Sequence, residues 1–185
     1  YMTLKHRFTP PLYLRHAHIQ SGLNSVGPRK VRANRLAEAM ESESLILTTP
    51  AGVRLAAEFD RTSERKSPSK RALVILIHGW EGSSKSAYQV TTAKYLIDHG
   101  FDVLRLNLRD HGDTQHLNKA LFNSTMIQEV GDAIESFLGQ HSYGPVFLTG
   151  FSLGGNFTLR IAADRGLALG LSAAVAISPP VDPVN

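Results

Sequence analysis

The sequence predicts an α/β protein with a mostly parallel sheet, helices on both faces and an antiparallel hairpin at its N-terminal side. Three observations carry that expectation. Ala72-Leu73-Val74-Ile75-Leu76-Ile77 is a continuous apolar run, the pattern of a strand buried on both faces. From Ala72 to Ser178, strand-like runs alternate with stretches of helical periodicity, which requires crossovers and parallel strands. Finally, a serine between two glycines joins one of those strands directly to one of those helices, in Gly150-Phe151-Ser152-Leu153-Gly154.

Taken in order, residues 1–43 look irregular. Phe8-Thr9-Pro10-Pro11 and Gly27-Pro28 act as breakers, and a short helix is expected near Arg32 to Met40. Residues 1–37 hold seven bases (Lys5, Arg7, Arg15, Arg29, Lys30, Arg32, Arg35) and no acid, so this arm accounts for the +4 net charge of the chain. Its charges are scattered among Pro, Leu and His, which argues for a solvated or intramolecular role and against nucleic acid. Leu12, Leu14 and Ile19 are expected to pack the arm on the main domain, residues 44–185. Ser44 to Thr49 and Val53 to Phe59 are rich in strand formers around the turn Pro50-Ala51-Gly52, which makes a hairpin. Arg61 to Arg71 reads as a polar surface loop.

After the buried strand 72–77, Ser86 and Gln89 have capping-box spacing. Val90, Ala93, Leu96 and Ile97 share one helix face, and Gly100 stands where a C-terminal cap belongs. Phe101 to Leu106 is the next strand, ending in the polar loop Asn107 to Thr114. Thr125 with Gln128 repeats the capping-box spacing before a helix with Ile127, Val130, Ile134, Phe137 and Leu138 on one face. Strand 145–149, a helix ending near Gly166 and a strand from Leu171 to Ser178 complete the alternation.

The 185 residues contain no cysteine, which excludes disulfides and thiolate metal sites. No apolar run reaches the roughly 18 to 20 residues that span a bilayer, and there is no signal-peptide core, so a soluble cytoplasmic protein is expected. The His/Asp cluster from Asp110 to His116 fits no standard metal-site spacing, and no metal or other cofactor is expected.

The chemistry gathers at the glycine-flanked serine. Between a strand and a helix, this pattern makes a sharp turn that pushes the Ser152 hydroxyl into the open, with Gly150 and Gly154 leaving room for the reversal. It also turns the Leu153 N–H toward the place where an oxyanion would form. His78-Gly79-Trp80 follows the first buried strand, at the end where open α/β sheets place their sites, and supplies the second donor, the Trp80 N–H. His78 then braces its loop and is not the base. A rival reading takes Gly79 to Ser86 as a near-match to the phosphate-binding pattern G-x-x-x-x-G-K-S. It fails at Ser84, which stands where the second glycine is needed, and no apolar strand ending in Asp is at hand to hold magnesium.

Phe8-x-Pro10-Pro11, His18-x-Gln20, His78-Gly79, Asn107-x-Arg109-x-x-Gly112 and Gly150-Phe151-Ser152-Leu153-Gly154-Gly155-Asn156 together resemble the YheT-type branch of the α/β-hydrolase superfamily. Plant embryogenesis-associated and animal abhydrolase-domain proteins are related to it, and the resemblance covers residues 7 to 182. It implies an α/β-hydrolase fold and a serine hydrolase acting on small-molecule carboxylic esters, including lipid esters. Ser152 would be the nucleophile of a Ser, acid, His triad, in that chain order.

Here the sequence departs from the family. After Ser152 it offers only Asp164 and Asp182 as acids and no histidine; all eight histidines precede the serine. Some hydrolases place the acid after strand six, which makes Asp182 a second-choice acid. In this branch the acid more usually follows strand seven, and Asp182 in Ser178-Pro179-Pro180-Val181-Asp182-Pro183 reads better as a turn residue. The expectation is therefore the N-terminal portion of a longer hydrolase, whose C-terminal strands, triad acid and histidine lie beyond Asn185. Such a piece would be inactive and poorly soluble alone. A non-catalytic hydrolase-fold scaffold that binds a ligand or partner is the alternative.

Overall fold

The structure, a computed structural model, describes residues 9–16, 18–19, 28–63 and 71–182. After a 3-10 turn at Leu12–Leu14 come α1 (Pro28–Ala39), β1 (Glu43–Thr48), β2 (Arg54–Asp60), β3 (Ala72–Ile77), α2 (Ala87–Asp98) and β4 (Phe101–Leu106). The chain continues through α3 (Ile127–Gln140), β5 (Val146–Phe151), α4 (Leu153–Arg165) and β6 (Leu171–Ile177). The six strands form one sheet in the order β1-β2-β4-β3-β5-β6. The β1–β2 hairpin is antiparallel and joins β4 antiparallel, while β4, β3, β5 and β6 are mutually parallel.

The apolar run of β3 explains the layering. Leu73, Ile75 and Ile77 point into a core shared with Val130, Ile134 and Phe137 of α3 and Phe157 and Ile161 of α4. Val74 and Leu76, at the alternate positions, meet Val103 and Ala93 of α2 on the opposite face. A strand flanked by parallel neighbours on both sides and by helices on both faces has no position for a polar side chain, which is why the run is uninterrupted.

Several local expectations need correction. Ser86 does cap α2 by position, but its hydroxyl accepts the Ser83 N–H, and the Gln89 side chain is buried without a partner, so no capping box forms. Thr125 donates to Asn123 and Gln128 to Asp164, so the second box is absent as well. Pro28, read as a breaker, lies in the first turn of α1, where its missing N–H costs nothing. Leu12 and Ile19 are exposed and do not attach the arm. Contact with the domain runs instead through α1, with Ala33 buried and α1 packed on α2. The polar loop expected over 61–71 lies largely outside the described residues.

Candidate active site

The turn between β5 and α4 has the geometry its sequence implies. Ser152 has φ 51° and ψ −117°, a left-handed conformation that costs an ordinary residue roughly 1–3 kcal/mol and persists only when its surroundings hold it. Two close approaches do so. A Cβ at Gly150 would stand 2.0 Å from the Gly154 carbonyl oxygen, and one at Gly154 would stand 2.4 Å from the oxygens of both Ile77 and His78. The helix can start against the ends of β5 and β3 only because both residues are glycine. The Ser152 N–H donates to the Ile177 carbonyl at 2.9 Å, tying the turn to β6 as well. Its side chain is left exposed at the N-terminus of a thirteen-residue helix.

The His78–Gly79 loop lies against this turn: a Cβ at Gly79 would be 3.2 Å from the Ser152 Cβ. Most amides of the loop are already used. Gly79 N–H donates to the Tyr88 hydroxyl at 3.0 Å, Gly82 to the Gly79 carbonyl, Ser83 to Ser86 Oγ, and Ser84 to Asn107 Oδ1 at 2.6 Å. A loop whose amides are turned inward cannot cradle a phosphate, which disposes of the P-loop reading. The Trp80 N–H, by contrast, has no acceptor among the described residues. The Leu153 N–H, in the first turn of α4, has no intrahelical one. These are the two amides that sequence reasoning singled out.

His78 is fully buried, and both its ring nitrogens are engaged. Leu108 N–H donates to Nε2 at 3.0 Å, so the ring proton sits on Nδ1 and is donated to the Gly79 carbonyl at 2.7 Å. Burial above all pushes its pKa down to about 4, with the bond to the Gly79 carbonyl opposing and neighbouring His111 adding to the fall. The neutral ring thus staples the β3 loop to the loop after β4. Beside it Arg105, 1% exposed, forms a buried fork with Asp60, with Nε to Oδ2 at 2.9 Å. It also donates to the Ser84 carbonyl at 2.6 Å and to Ser42 Oγ at 2.7 Å. Asn107 and Arg105 therefore grip the Ser84 peptide from both sides.

One wall of the site is aromatic. Trp80, mostly exposed, meets Phe122 edge-on at 5.9 Å and His111 at 6.5 Å; His111 packs on His78 at 4.9 Å. Phe122 is placed by its own N–H, which donates to Asp110 Oδ2 at 2.7 Å. On the other side Phe151 packs on Tyr88, ring centres 4.9 Å apart. Of these residues the sequence reading placed Trp80 at the site and missed Tyr88, Arg105 and Phe122. Arg105 did leave a signal, a charged residue in the middle of a strand whose only other charge is Asp102. Asp182 is exposed, and the nearby chain is hooked to α4 by Asn156 Nδ2 donating to the Pro180 carbonyl at 2.8 Å. Among the described residues no histidine hydrogen-bonds a carboxylate.

A strained serine turn between a central parallel strand and a helix, facing a loop with an unengaged amide, defines a hydrolase-type site. The alpha/beta hydrolase fold family matches residues 72–185, and the chain belongs to it. Curated relatives include protein phosphatase methylesterase 1 of Rattus norvegicus, 34% identical over 99 residues, covering 53% of this chain and 25% of that protein. The Homo sapiens protein of the same name is 32% identical over 101 residues, covering 54% and 26%. The match thus spans about a quarter of the length of those relatives. Among solved structures, an esterase of Pyrococcus furiosus superposes with a TM-score of 0.65 at 20% identity, covering 80% of this chain and 54% of that one. A serine hydrolase without a lid from Xanthomonas campestris does so with a TM-score of 0.63 at 25% identity, covering 78% and 64%. At such identities the likeness to the Pyrococcus protein is one of fold.

Proposed function

We propose that this chain is the N-terminal portion of a serine hydrolase of carboxylic esters, with Ser152 as nucleophile and the Trp80 and Leu153 amides as oxyanion donors. The observation that carries the reading is the Ser152 backbone, held in a strained conformation beside a loop that leaves the Trp80 amide unused. Strain of this kind is maintained where it aims a reacting group. Attack by the hydroxyl on an ester carbonyl would form a serine ester and expel the alcohol, while the two amides stabilise the negative oxygen between them. His78, Gly79, Gly150 and Gly154 support this arrangement. A neutral imidazole with both nitrogens occupied takes no proton from serine, so the base, and the acid that orients it, come from chain beyond Asn185; Asp182, with no histidine bonded to it, is not our choice.

The substrate class draws support from the methylesterase and esterase names among the similar proteins, and lipid or other acyl esters fit the aromatic surfaces of Trp80 and Phe122 on one side and Phe151 on the other. Within the superfamily we favour the YheT-type branch, on the Phe8-Thr9-Pro10-Pro11 and Gly154-Gly155-Asn156 motifs. Among the described residues no helix is long and apolar enough to cross a membrane. A cysteine-free chain suits a reducing compartment, and we place the protein in the cytoplasm.

In the complete polypeptide a fluorophosphonate should label Ser152. Ser152→Ala should abolish labelling and lower kcat on a p-nitrophenyl ester by at least about a thousandfold. Equal hydrolysis by the alanine variant would end this reading. A non-catalytic scaffold is the second reading, favoured by the lack of any described histidine bonded to a carboxylate. It gains if the complete polypeptide has no histidine that can reach Ser152.

A further inference from the structure

The rim of the sheet that carries Ser152 also carries a concave feature away from the serine turn. A cleft of about 410 Å³ opens between the β1–β2 turn and the long loop after β4, and Arg54, His116 and Lys119 line it with no carboxylate among its walls. Arg54 opens β2. Because β2 runs antiparallel to β4, Arg54 lies at the end of the sheet where β4 releases this loop, and Asn107 N–H donates to the Ala56 carbonyl at 2.9 Å there.

Two facts mark the cleft as built to hold positive charge. Arg54 is fixed: its N–H donates to Asn118 Oδ1 at 3.0 Å, Asn118 Nδ2 returns a bond to its carbonyl at 2.8 Å, and its guanidinium donates twice to the Leu117 carbonyl. A carbonyl orients a guanidinium without neutralising it. Arg54 also stands apart from the usual pattern of this molecule. Between Glu43 and Asp182 the described Lys and Arg side chains pair with carboxylates, except Arg54, Lys119 and Arg160. Two of those three share this cleft. Arg109 also borders it, but its charge is spent on Glu129 at 2.6 Å.

We propose that the cleft binds an oxyanion group, carboxylate or phosphate, and that this group belongs to the ester substrate. The second clause rests on the hydrolase reading; the first does not. Strand β2 is three places from β5 in the sheet, so these two strands stand about 14 Å apart across it. One loop bridges the two sites. Its His111 and Phe122 face Trp80, and its residues 116–119 face Arg54. An extended substrate with its ester at Ser152 can thus reach the cationic cleft along this loop.

Calorimetric titration of the complete polypeptide with inorganic phosphate and, separately, with citrate at low ionic strength tests the site. Saturable binding at one equivalent is expected. It should weaken at least tenfold in Arg54→Gln/Lys119→Gln, weaken measurably in the exposed single variant Lys119→Gln, and stay unchanged in Arg160→Gln. The tighter of the two ligands identifies phosphate or carboxylate as the natural group. Absence of saturable binding, or equal affinity in all variants, overturns the site. For the substrate claim, hydrolysis of a neutral ester is compared with that of an ester bearing a distal carboxylate or phosphate. The double variant should raise KM at least fivefold for the anionic ester alone. A KM unchanged for both esters overturns that claim, while hydrolysis surviving Ser152→Ala overturns the hydrolase reading and leaves the calorimetry to judge the cleft.

Discussion

The two flanks of the serine turn are built in contrasting ways. Toward β4, the His78–Gly79 loop is fastened by buried polar side chains: His78 to Leu108, Asn107 and Arg105 to the N–H and carbonyl of Ser84, and Arg105 in turn to Asp60. Toward β6, the Ser152 N–H bonds to Ile177 and the Asn156 side chain to Pro180, and the strand itself is poorly covered. From Ser172 to Val175 every residue of β6 is exposed, and Val175 and Ile177 keep 50% and 40% of their surface in water. A parallel strand normally has both faces covered. The base of the His78–Gly79 loop is thus set into the core, while the serine turn borders an exposed strand on its β6 side.

Disturbing each flank tests that contrast. The largest expected effect is at Arg105. Arg105→Met leaves the buried Asp60 side chain without its guanidinium partner and should cost about 3–5 kcal/mol in urea unfolding, with much of it recovered in Arg105→Met/Asp60→Asn. Full stability of the single variant would mean that the fork does not fasten this flank. Next comes His78. Its folded-state pKa, about 4, lies below its unfolded value of 6.5, so protons favour the unfolded chain. Its contribution is complete above pH 6.5, declines as the pH falls toward 4, and should amount to roughly 3 kcal/mol over that window. Urea midpoints between pH 7 and pH 4 should show a slope that His78→Gln reduces; an equal slope in the variant would assign it to other groups. Smallest is Val175→Thr on β6, expected to change the stability of this chain by less than about 0.5 kcal/mol. A loss above about 1 kcal/mol in the complete polypeptide would show that the strand is covered there, and the contrast would then belong to this portion of the protein alone.

What could be read in the sequence was whatever depends on repetition or on backbone geometry. The strands and main helices fell within a few residues of their places because burial imposes period two, period 3.6 or an unbroken apolar run on them. The serine turn was legible because only glycine fits at 150 and 154. Side-chain caps were not: Ser86 and Thr125 had other partners within reach, and spacing does not say which a hydroxyl will take. Leu12 and Ile19 misled because a hydrophobic residue on an arm is not obliged to be buried. Arg105 looked out of place in β4 and could have been questioned there. Its partners, however, come from 45, 63 and 21 residues away in the chain, and no local pattern connects them. Phe122 reaches the site from a loop without periodicity, held by Asp110 twelve residues earlier.

The position of Trp80 has an optical consequence. It is the only tryptophan in these 185 residues, and it occupies the position whose amide would stabilise the oxyanion. The indole fluorescence of this chain therefore comes from the His78–Gly79 loop and from nowhere else. With 62% of its surface in water, the indole should emit at the long wavelengths of a hydrated ring. An acyl group settling between it and Phe122 would dry the ring and move the emission to the blue. The molecule carries its own dye at the place where its ligand is expected.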